Sequence, residues 1–129
     1  MAINGTGIDL IEIHRIEQAV SRFGDRLLKR VFSEREIAYA SGKANPYPSL
    51  AARFAAKEAF IKALSPISSD GLSLNEIELV AGEGLKKPGF TFYGRSREIV
   101  EAAGLTRIAV SLTHSREYAA AIVILEVGD

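Results

Sequence analysis

Four charged residues lie in one apolar segment and are the first candidates for chemistry: Arg53, Lys57, Glu58 and Lys62. Drawn as a helix of about 100° per residue, the segment places Glu58 among apolar neighbours. An unpaired buried carboxylate costs several kcal/mol, so Glu58 needs a partner. That partner is either Lys62, one helical turn later in the favourable Glu-before-Lys order, or a metal ion.

Two cations of this segment stand four residues apart, Arg53 and Lys57. On one helix face, like charges at this spacing repel each other. A bound anion would relieve the repulsion, and a phosphate suits it well because it accepts charge-assisted hydrogen bonds. The alternative is a pair of solvated side chains at the edge of the surface.

Asp9 follows an apolar run and a glycine in Gly7-Ile8-Asp9. Aspartate is disfavoured inside strands, so it either caps the next helix or serves as a second metal ligand. Magnesium is usually held by one or two carboxylates together with substrate phosphates and water. Asp9 and Glu58 meet that need only if the first strand packs beside the helix that carries Glu58.

His114 ends a hydroxyl-rich strand that contains Ser111 and Thr113, with Ser115 following. It is either a turn residue or a contact for a phosphate or a nucleotide edge. The sequence contains no glycine-rich phosphate loop, Ser-His-Asp set or paired-histidine metal motif.

A basic stripe is expected on the first helix. Arg15 and Arg22 are seven residues apart and share a face, opposite in character to the apolar stripe. Arg26 joins them if helical geometry continues through Gly24. The stripe is either ordinary solvated surface or a local field that attracts an acidic partner.

Composition limits the possible functions. The 129 residues fit one domain, residues 1–129, and 16 basic and 16 acidic residues cancel, which disfavours nucleic acid as a partner. The absence of cysteine excludes disulfides, thiolate zinc sites and a cysteine nucleophile, and fits the cytoplasm. No signal peptide is expected, and no apolar stretch approaches the ~20 residues that cross a bilayer.

The elements that position these residues follow from periodicity and breakers. A strand is predicted at residues 3–11, with Gly5 and Gly7 allowing another backbone to approach closely. Helical spacing follows to residue 23, Gly24 interrupts, and Ser33 to Glu36 form a capping box. A loop over residues 41–49 leads to the long helix, residues 50–64.

The second half alternates short elements. A loop is predicted at residues 65–71, and a helix at residues 96–103 ended by Gly104. The predicted strands are residues 77–80 and 90–93, joined by a turn region at residues 84–89, and a hairpin of residues 108–112 and 118–127. Helices inserted among sequential strands predict an α+β domain in which a mostly antiparallel sheet packs against a long central helix.

Three segments, in order along nearly the whole chain, resemble the small bacterial holo-acyl-carrier-protein synthases, which are 4'-phosphopantetheinyl transferases. Gly7-Ile8-Asp9 with Glu12 resembles the Gly-x-Asp segment of that family. Residues 53–59 with Lys62 and Ala63 resemble its Phe-x-x-Lys-Glu-Ala helix, and residues 110–114 with 117–119 resemble its last two strands.

The resemblance implies a magnesium-dependent enzyme of fatty acid biosynthesis. It would move 4'-phosphopantetheine from coenzyme A to a serine of apo-acyl carrier protein, releasing adenosine 3',5'-bisphosphate. Asp9 and Glu58 match the magnesium ligands and, with Lys62, would be the catalytic residues; deprotonation of the serine would run through Glu58 or a metal-bound water. Lys57, Lys62, Arg53 and His114 are the candidate coenzyme A contacts.

The resemblance further implies a cytoplasmic homotrimer with sites between subunits, and a carrier docked on Arg15, Arg22 and Arg26. One departure stands out: the family's glycine-rich loop reads Ser65-Pro66-Ile67-Ser68-Ser69-Asp70-Gly71 here. Two alternatives remain, a non-catalytic coenzyme A or nucleotide-binding module and an adaptor for acidic proteins with an ordinary Glu58–Lys62 ion pair.

Overall fold

The computed structural model describes residues 2–80 and 87–128. In this part of the chain, a short 3-10 helix (Leu74–Glu76) accompanies five strands and five α-helices. The strands are β1 (Ala2–Glu12), β2 (Ile77–Val80), β3 (Gly89–Phe92), β4 (Leu105–His114) and β5 (Tyr118–Val127). The helices are α1 (Ile13–Phe23), α2 (Asp25–Val31), α3 (Glu34–Ser41), α4 (Tyr47–Leu64) and α5 (Gly94–Ala102).

The described strands form two antiparallel sheets. One has the order β1-β5-β4, and the other pairs β2 with β3. The register places Asp9 opposite Ala121 and Leu112 opposite the same residue on the other side. This topology confirms the predicted α+β class. Residues 84–86 of the predicted turn region lie outside the described residues.

Helix α4 lies at the centre of the core. Its alanine and leucine residues favour the helical conformation, and the small alanine side chains let other elements pack closely on several sides of it. Ala51, Ala55, Ala59 and Ala63 are completely buried. One apolar cluster joins the second half of α4 to the strands and α5, and the other joins its first half to α1, α2 and α3. The long helix therefore fixes the positions of all the elements around it.

The boundary between the predicted loop and the long helix moved. Helix α4 begins at Tyr47, so the loop predicted at residues 41–49 is shorter than expected; Pro48 lies in the first helical turn, where no intrahelical N–H is required. The capping box is confirmed: the Ser33 hydroxyl accepts from the Glu36 N–H at 3.2 Å, and Glu36 accepts from the Ser33 N–H at 3.0 Å.

Gly24 ends the first helix. Its φ of 60° and ψ of −143° lie outside the helical region, and α2 starts afresh at Asp25. Arg26 was predicted to join the stripe of Arg15 and Arg22 only if the helix continued through Gly24. The helix does not continue through Gly24, so that condition is not met. Arg26 is exposed on a separate helix.

Two glycines of β1 allow the strand to lie directly on α4. A Cβ atom at Gly5 would fall 2.0 Å from the carbonyl oxygen of Ala63, and one at Gly7 would fall 1.9 Å from that of Ala59. Only hydrogen fits at these positions, as the two glycines had predicted. This contact brings β1 against the half of α4 that carries Glu58 and Lys62.

Gly7→Ala is therefore expected to lower the free energy of unfolding by about 3 kcal/mol or more, at the upper end of overpacking costs, because the clash is with backbone atoms. Gly71→Ala is the matched control, since within the described chain an added Cβ there meets open space. Urea unfolding followed by circular dichroism measures both variants. Equal stability of the two would contradict the contact between β1 and α4.

Candidate active site between β1 and α4

An open cavity of about 460 Å³ lies where β1, α1 and α4 meet. Asp9 reaches it from β1, and Glu58 reaches it from α4. Its other lining residues are Leu10, Ile11, Glu12, Arg15, Phe54 and Tyr118. The meeting of Asp9 with Glu58 was conditional on β1 packing beside α4, and the structure fulfils that condition.

Lys62 pairs with Asp9, one of the residues that line this cavity. Its ammonium donates to Asp9 Oδ1 at 3.1 Å and to the Ile8 carbonyl at 3.1 Å. The Lys62 side chain is 53 % exposed and that of Asp9 16 %. Among the described residues, Lys62 pairs with Asp9 and not with Glu58, so the simple ion pair of Glu58 with Lys62 does not form. The Lys62 side chain thus links α4 to β1.

Glu58 is half-buried beside a second carboxylate. Its pKa is raised above its ordinary value, first because burial disfavours the charged form and second because of the negative charge of Asp9; Lys62 opposes both effects. Asp9 and Glu58 line one cavity, and Glu58 has no ion-pair partner in the described chain, an arrangement that fits a divalent cation. No cluster of three or more possible metal ligands occurs in that same part of the chain. Such an ion would therefore depend on these two carboxylates, substrate phosphates and water.

Lys57 lies elsewhere, fully buried, although it is the neighbour of Glu58 in sequence. Its ammonium pairs with Glu36 and donates to the carbonyls of Val31 at 2.7 Å and Leu74 at 3.0 Å. Burial lowers the pKa of Lys57, and Glu36 opposes that shift. The anion expected beside Lys57 is thus an internal carboxylate. With its three protons engaged, Lys57 has none left for a phosphate in this structure.

Arg53 is also buried, at 6 % exposure, and is not the solvated side chain that was one of its alternatives. Its guanidinium stacks 4.4 Å from the centre of the Tyr39 ring and donates to Ser49 Oγ at 2.7 Å. Burial lowers its pKa, and the charge of Glu36 opposes that shift. Its Nε has no hydrogen-bond partner within the described residues.

Arg15 and His114, two further predicted site residues, lie in different parts of the structure: Arg15 lines the cavity and His114 does not. Arg15 is exposed on α1 and lines the cavity with Asp9 and Glu58, so it belongs to the stripe and to the cavity at once. His114 is exposed at the end of β4, opposite Ala119, with β5 lying between it and β1. Two strand spacings, about 10 Å, separate it from β1 within one chain.

Sequence reasoning missed the partners of these residues. Glu36 was read only as a capping residue, yet its carboxylate also meets Lys57 and accepts from the Leu79 N–H at 3.0 Å. Phe54 is predicted on the apolar face of the helix beside Glu58 and Tyr118 at the start of the last strand, but neither is predicted at the site, and the structure shows both at the cavity. Contacts between residues that are far apart in the chain and meet only in the folded structure cannot be detected from the spacing of residues in a single sequence.

Comparison with known proteins agrees with this geometry. The family model of the 4'-phosphopantetheinyl transferase superfamily matches residues 5–123. The chain therefore belongs to the 4'-phosphopantetheinyl transferase superfamily. The described part of the chain has no helix long and apolar enough to cross a membrane.

Relatives within the superfamily are holo-[acyl-carrier-protein] synthases, as the sequence motifs had predicted. The one from Syntrophus aciditrophicus (strain SB) is 45% identical over 124 residues, covering 96% of each chain. The one from Chlamydia trachomatis serovar D is 43% identical over 122 residues, covering 95% of this chain and 98% of the relative.

Solved structures of such synthases share the fold. The Neisseria meningitidis protein superimposes with a TM-score of 0.84 at 29% identity, covering 97% of this chain and 99% of that one. The Helicobacter pylori protein, solved in complex with coenzyme A, gives a TM-score of 0.76 at 32% identity, covering 94% and 99%.

Proposed function

We propose that this protein transfers 4'-phosphopantetheine from coenzyme A to a serine of apo-acyl carrier protein. The products are holo-acyl carrier protein and adenosine 3',5'-bisphosphate, and the reaction serves fatty acid biosynthesis in the cytoplasm. The single observation that carries the proposal is the cavity where Asp9 and Glu58 meet, in a chain that matches the holo-[acyl-carrier-protein] synthases over nearly its full length.

The described side chains have distinct tasks in this reaction. Asp9 and Glu58 would hold Mg²⁺, which when bound supplies positive charge to the pyrophosphate of coenzyme A. Lys62, half-exposed and paired with Asp9, donates to phosphate oxygens and stabilises the negative charge that develops during transfer. Arg53, with one unpartnered N–H, is the remaining candidate for a coenzyme A contact on α4.

The transfer forms one bond and breaks one. The serine oxygen of the carrier attacks the phosphorus that bears the pantetheine arm, and the bridging oxygen leaves with adenosine 3',5'-bisphosphate. The serine proton is taken by Glu58 or by water. Positioning and charge stabilisation supply most of the rate enhancement in such reactions.

Intact mass spectrometry of an apo-acyl carrier protein tests the proposal. After incubation with this protein, coenzyme A and Mg²⁺, the carrier is expected to gain the mass of one phosphopantetheine group, with stoichiometric release of adenosine 3',5'-bisphosphate. Coenzyme A binding without a mass change would favour a non-catalytic module, and carrier binding that ignores coenzyme A would favour an adaptor.

The exposed cations of α1 are proposed to receive the carrier, because Arg15 lies on both the outer helix face and the cavity. Arg15→Glu, and still more Arg15→Glu with Arg22→Glu, is expected to raise the KM for carrier by about tenfold or more, with coenzyme A binding little changed. Wild-type activity should fall with added salt, because exposed charges are screened beyond ~8–10 Å.

The matched control for this charge reversal is Arg95→Glu, an exposed arginine on α5 far along the chain from the stripe. Steady-state kinetics with carrier varied at saturating coenzyme A measure all three variants. If the KM for carrier is the same in the double variant and in Arg95→Glu, Arg15 and Arg22 do not bind the carrier and the stripe is ordinary solvated surface.

We further propose that the chain works as a homotrimer through the sheet face that points away from α4. Ile8, Leu10 and Ile122 on this face are 67%, 66% and 42% exposed, and Ile8 pairs directly with Ile122. Contiguous exposed apolar side chains of this kind mark interaction surfaces. A partner chain seated here would bring its own strands, and with them His114, towards the cavity of its neighbour.

Ile8→Glu should therefore convert the trimer to monomer and weaken coenzyme A binding, since a charge inside an apolar interface is strongly unfavourable. Val80→Glu, at an exposed apolar residue on β2, is the control that should remain trimeric. Sedimentation equilibrium decides between them. A wild-type protein that is monomeric and fully active would overturn the proposed assembly.

A further inference from the structure

A second cavity, of about 800 Å³, shares no lining residue with the one that holds Asp9 and Glu58. It opens between the α2–α3 connection and the start of the β2–β3 sheet. Phe32 and Glu78 are lining residues that are almost fully buried, at 3% exposure each. Nothing in the proposed transfer reaction uses this cavity.

Glu78 is a buried carboxylate without a cation in hydrogen-bond contact. It accepts from the Ser33 hydroxyl at 2.7 Å and from the Tyr93 hydroxyl at 3.0 Å, both neutral donors. No lysine or arginine among the described residues forms an ion pair with it. The pKa of the Tyr93 hydroxyl is raised by desolvation and then by the adjacent Glu78, so the phenol remains the proton donor of this pair.

Neither buried cation of the described chain is hydrogen-bonded to Glu78. Lys57 donates to Glu36 and to two carbonyls, and Arg53 donates to Ser49. Glu36 in addition accepts two backbone N–H groups. Burial of a carboxylate without a cation is costly, so Glu78 favours a positive group that enters from the cavity.

The cavity walls favour an organic ammonium as that group. Aromatic faces attract cations. Tyr93, which donates to the carboxylate, and Phe32 both line the cavity, and the Lys57 ammonium already lies 5.1 Å from the centre of the Phe32 ring. The exposed lining cations Lys29 and Arg35 have the opposite preference, for an anion. The cavity is lined by two cations, Lys29 and Arg35, and two acids, Glu34 and Glu78, so its net formal charge is zero. The negative charge of Glu78 is buried, whereas the exposed lining residues carry a net positive charge.

We propose that this cavity binds a small zwitterion whose primary ammonium meets Glu78, between Phe32 and Tyr93, and whose carboxylate or phosphate meets Lys29 and Arg35. The site takes an amine that carries an acid several bonds away. It is separate from the proposed transfer reaction, and its failure would leave that reaction untouched.

6-Aminohexanoate is the probe, with hexylamine and hexanoate carrying one charged end each. Titrated into the 15N-labelled full chain, 6-aminohexanoate is expected to shift the amide signals of Ser33, Asn75 and Tyr93 saturably, with a Kd near or below about 1 mM, ordinary for a ligand of this size. Each singly charged analogue should bind at least about tenfold more weakly, because each loses one ionic contact.

Two variants locate the two ends of the ligand. Glu78→Gln removes the charge and can still bond both hydroxyls, because the amide oxygen accepts from one and the amide N–H donates to the other. It should weaken 6-aminohexanoate at least about tenfold, whereas Glu34→Gln, at an exposed acid of the same cavity, should leave binding unchanged. Arg35→Gln should weaken 6-aminohexanoate and spare hexylamine, which tests the proposal even if Glu78→Gln does not fold.

Three results would overturn the site. The first is the absence of saturable shifts with 6-aminohexanoate. The second is equal binding by wild type and Glu78→Gln, and the third is equal binding of hexanoate and 6-aminohexanoate.

Discussion

Glu58→Gln is expected to reduce phosphopantetheine transfer by at least about 100-fold while the protein stays folded and becomes more resistant to heat at neutral pH. Loss of groups that only support a metal ligand already costs up to about 100-fold, so loss of a ligand itself costs at least as much. Asp9→Asn should lose activity similarly. EDTA should stop the wild-type reaction, and Mg²⁺ should restore it.

The gain in stability follows from the raised pKa of Glu58. Between its ordinary pKa and its raised one, the folded state binds more protons than the unfolded state, so stability falls as pH rises through this window. Glutamine removes the ionised form and with it the repulsion from Asp9. The stability gain should therefore be present at neutral pH and vanish below the ordinary glutamate pKa of about 4.5.

The effect of Mg²⁺ on thermal stability distinguishes a metal site at Asp9 and Glu58 from two carboxylates that only repel each other. Mg²⁺ should raise the melting temperature of the wild type, because a ligand that binds only the folded state stabilises it, and should have little effect on Glu58→Gln. Glu98→Gln, an exposed acid on α5, is the control that should behave as wild type. Turnover of Glu58→Gln within about tenfold of wild type at saturating Mg²⁺ would remove Glu58 from the site.

Lys57→Met is expected to be the most destabilising side-chain truncation on α4, lowering the free energy of unfolding by about 3–5 kcal/mol. It leaves the buried carboxylate of Glu36 without its cation and the carbonyls of Val31 and Leu74 without a donor. Lys57→Met combined with Glu36→Gln should recover part of the loss, because glutamine still completes the capping box of α3 and carries no charge.

Arg97→Met is the matched control, since it breaks the exposed pair of Arg97 with Glu101 and should cost no more than about 0.5 kcal/mol. Urea unfolding measures the variants, and coenzyme A binding is followed alongside. Normal stability of Lys57→Met with weakened coenzyme A binding would show that Lys57 serves a phosphate after all.

The elements themselves were readable from local chemistry. The capping box of Ser33, the break at Gly24 and the hairpin before Tyr118 follow from residue types at fixed offsets, and all three are confirmed. Asp9 and Glu58 were each readable as a candidate ligand, because an acid in a strand and an acid on an apolar helix face each required a reason, but their meeting required β1 to pack beside α4. The two glycines supplied the contact that joins them.

Which of two adjacent side chains faces inward was not readable. Lys57 and Glu58 differ by one position, yet one is fully buried and the other lines a cavity. The choice depends on Glu36, which comes from a different helix and provides the carboxylate that makes burial of an ammonium tolerable. A contact between residues distant in sequence cannot be inferred from the spacing within either segment.

The pairing of β1 with β5 has a consequence for the order of events during synthesis. Asp9 precedes α1 to α4 in the chain, but its strand pairs only with β5 in the described sheet, where Asp9 lies opposite Ala121. Such contacts between distant segments form late, because the long intervening chain must first be closed. On the ribosome, α1 to α4 can begin to associate while β1 still lacks its neighbour. The strand that carries Asp9 therefore gains its hydrogen-bonded neighbour only after β5 has emerged, so a chain cut short before β5 would leave the edge of β1 unpaired.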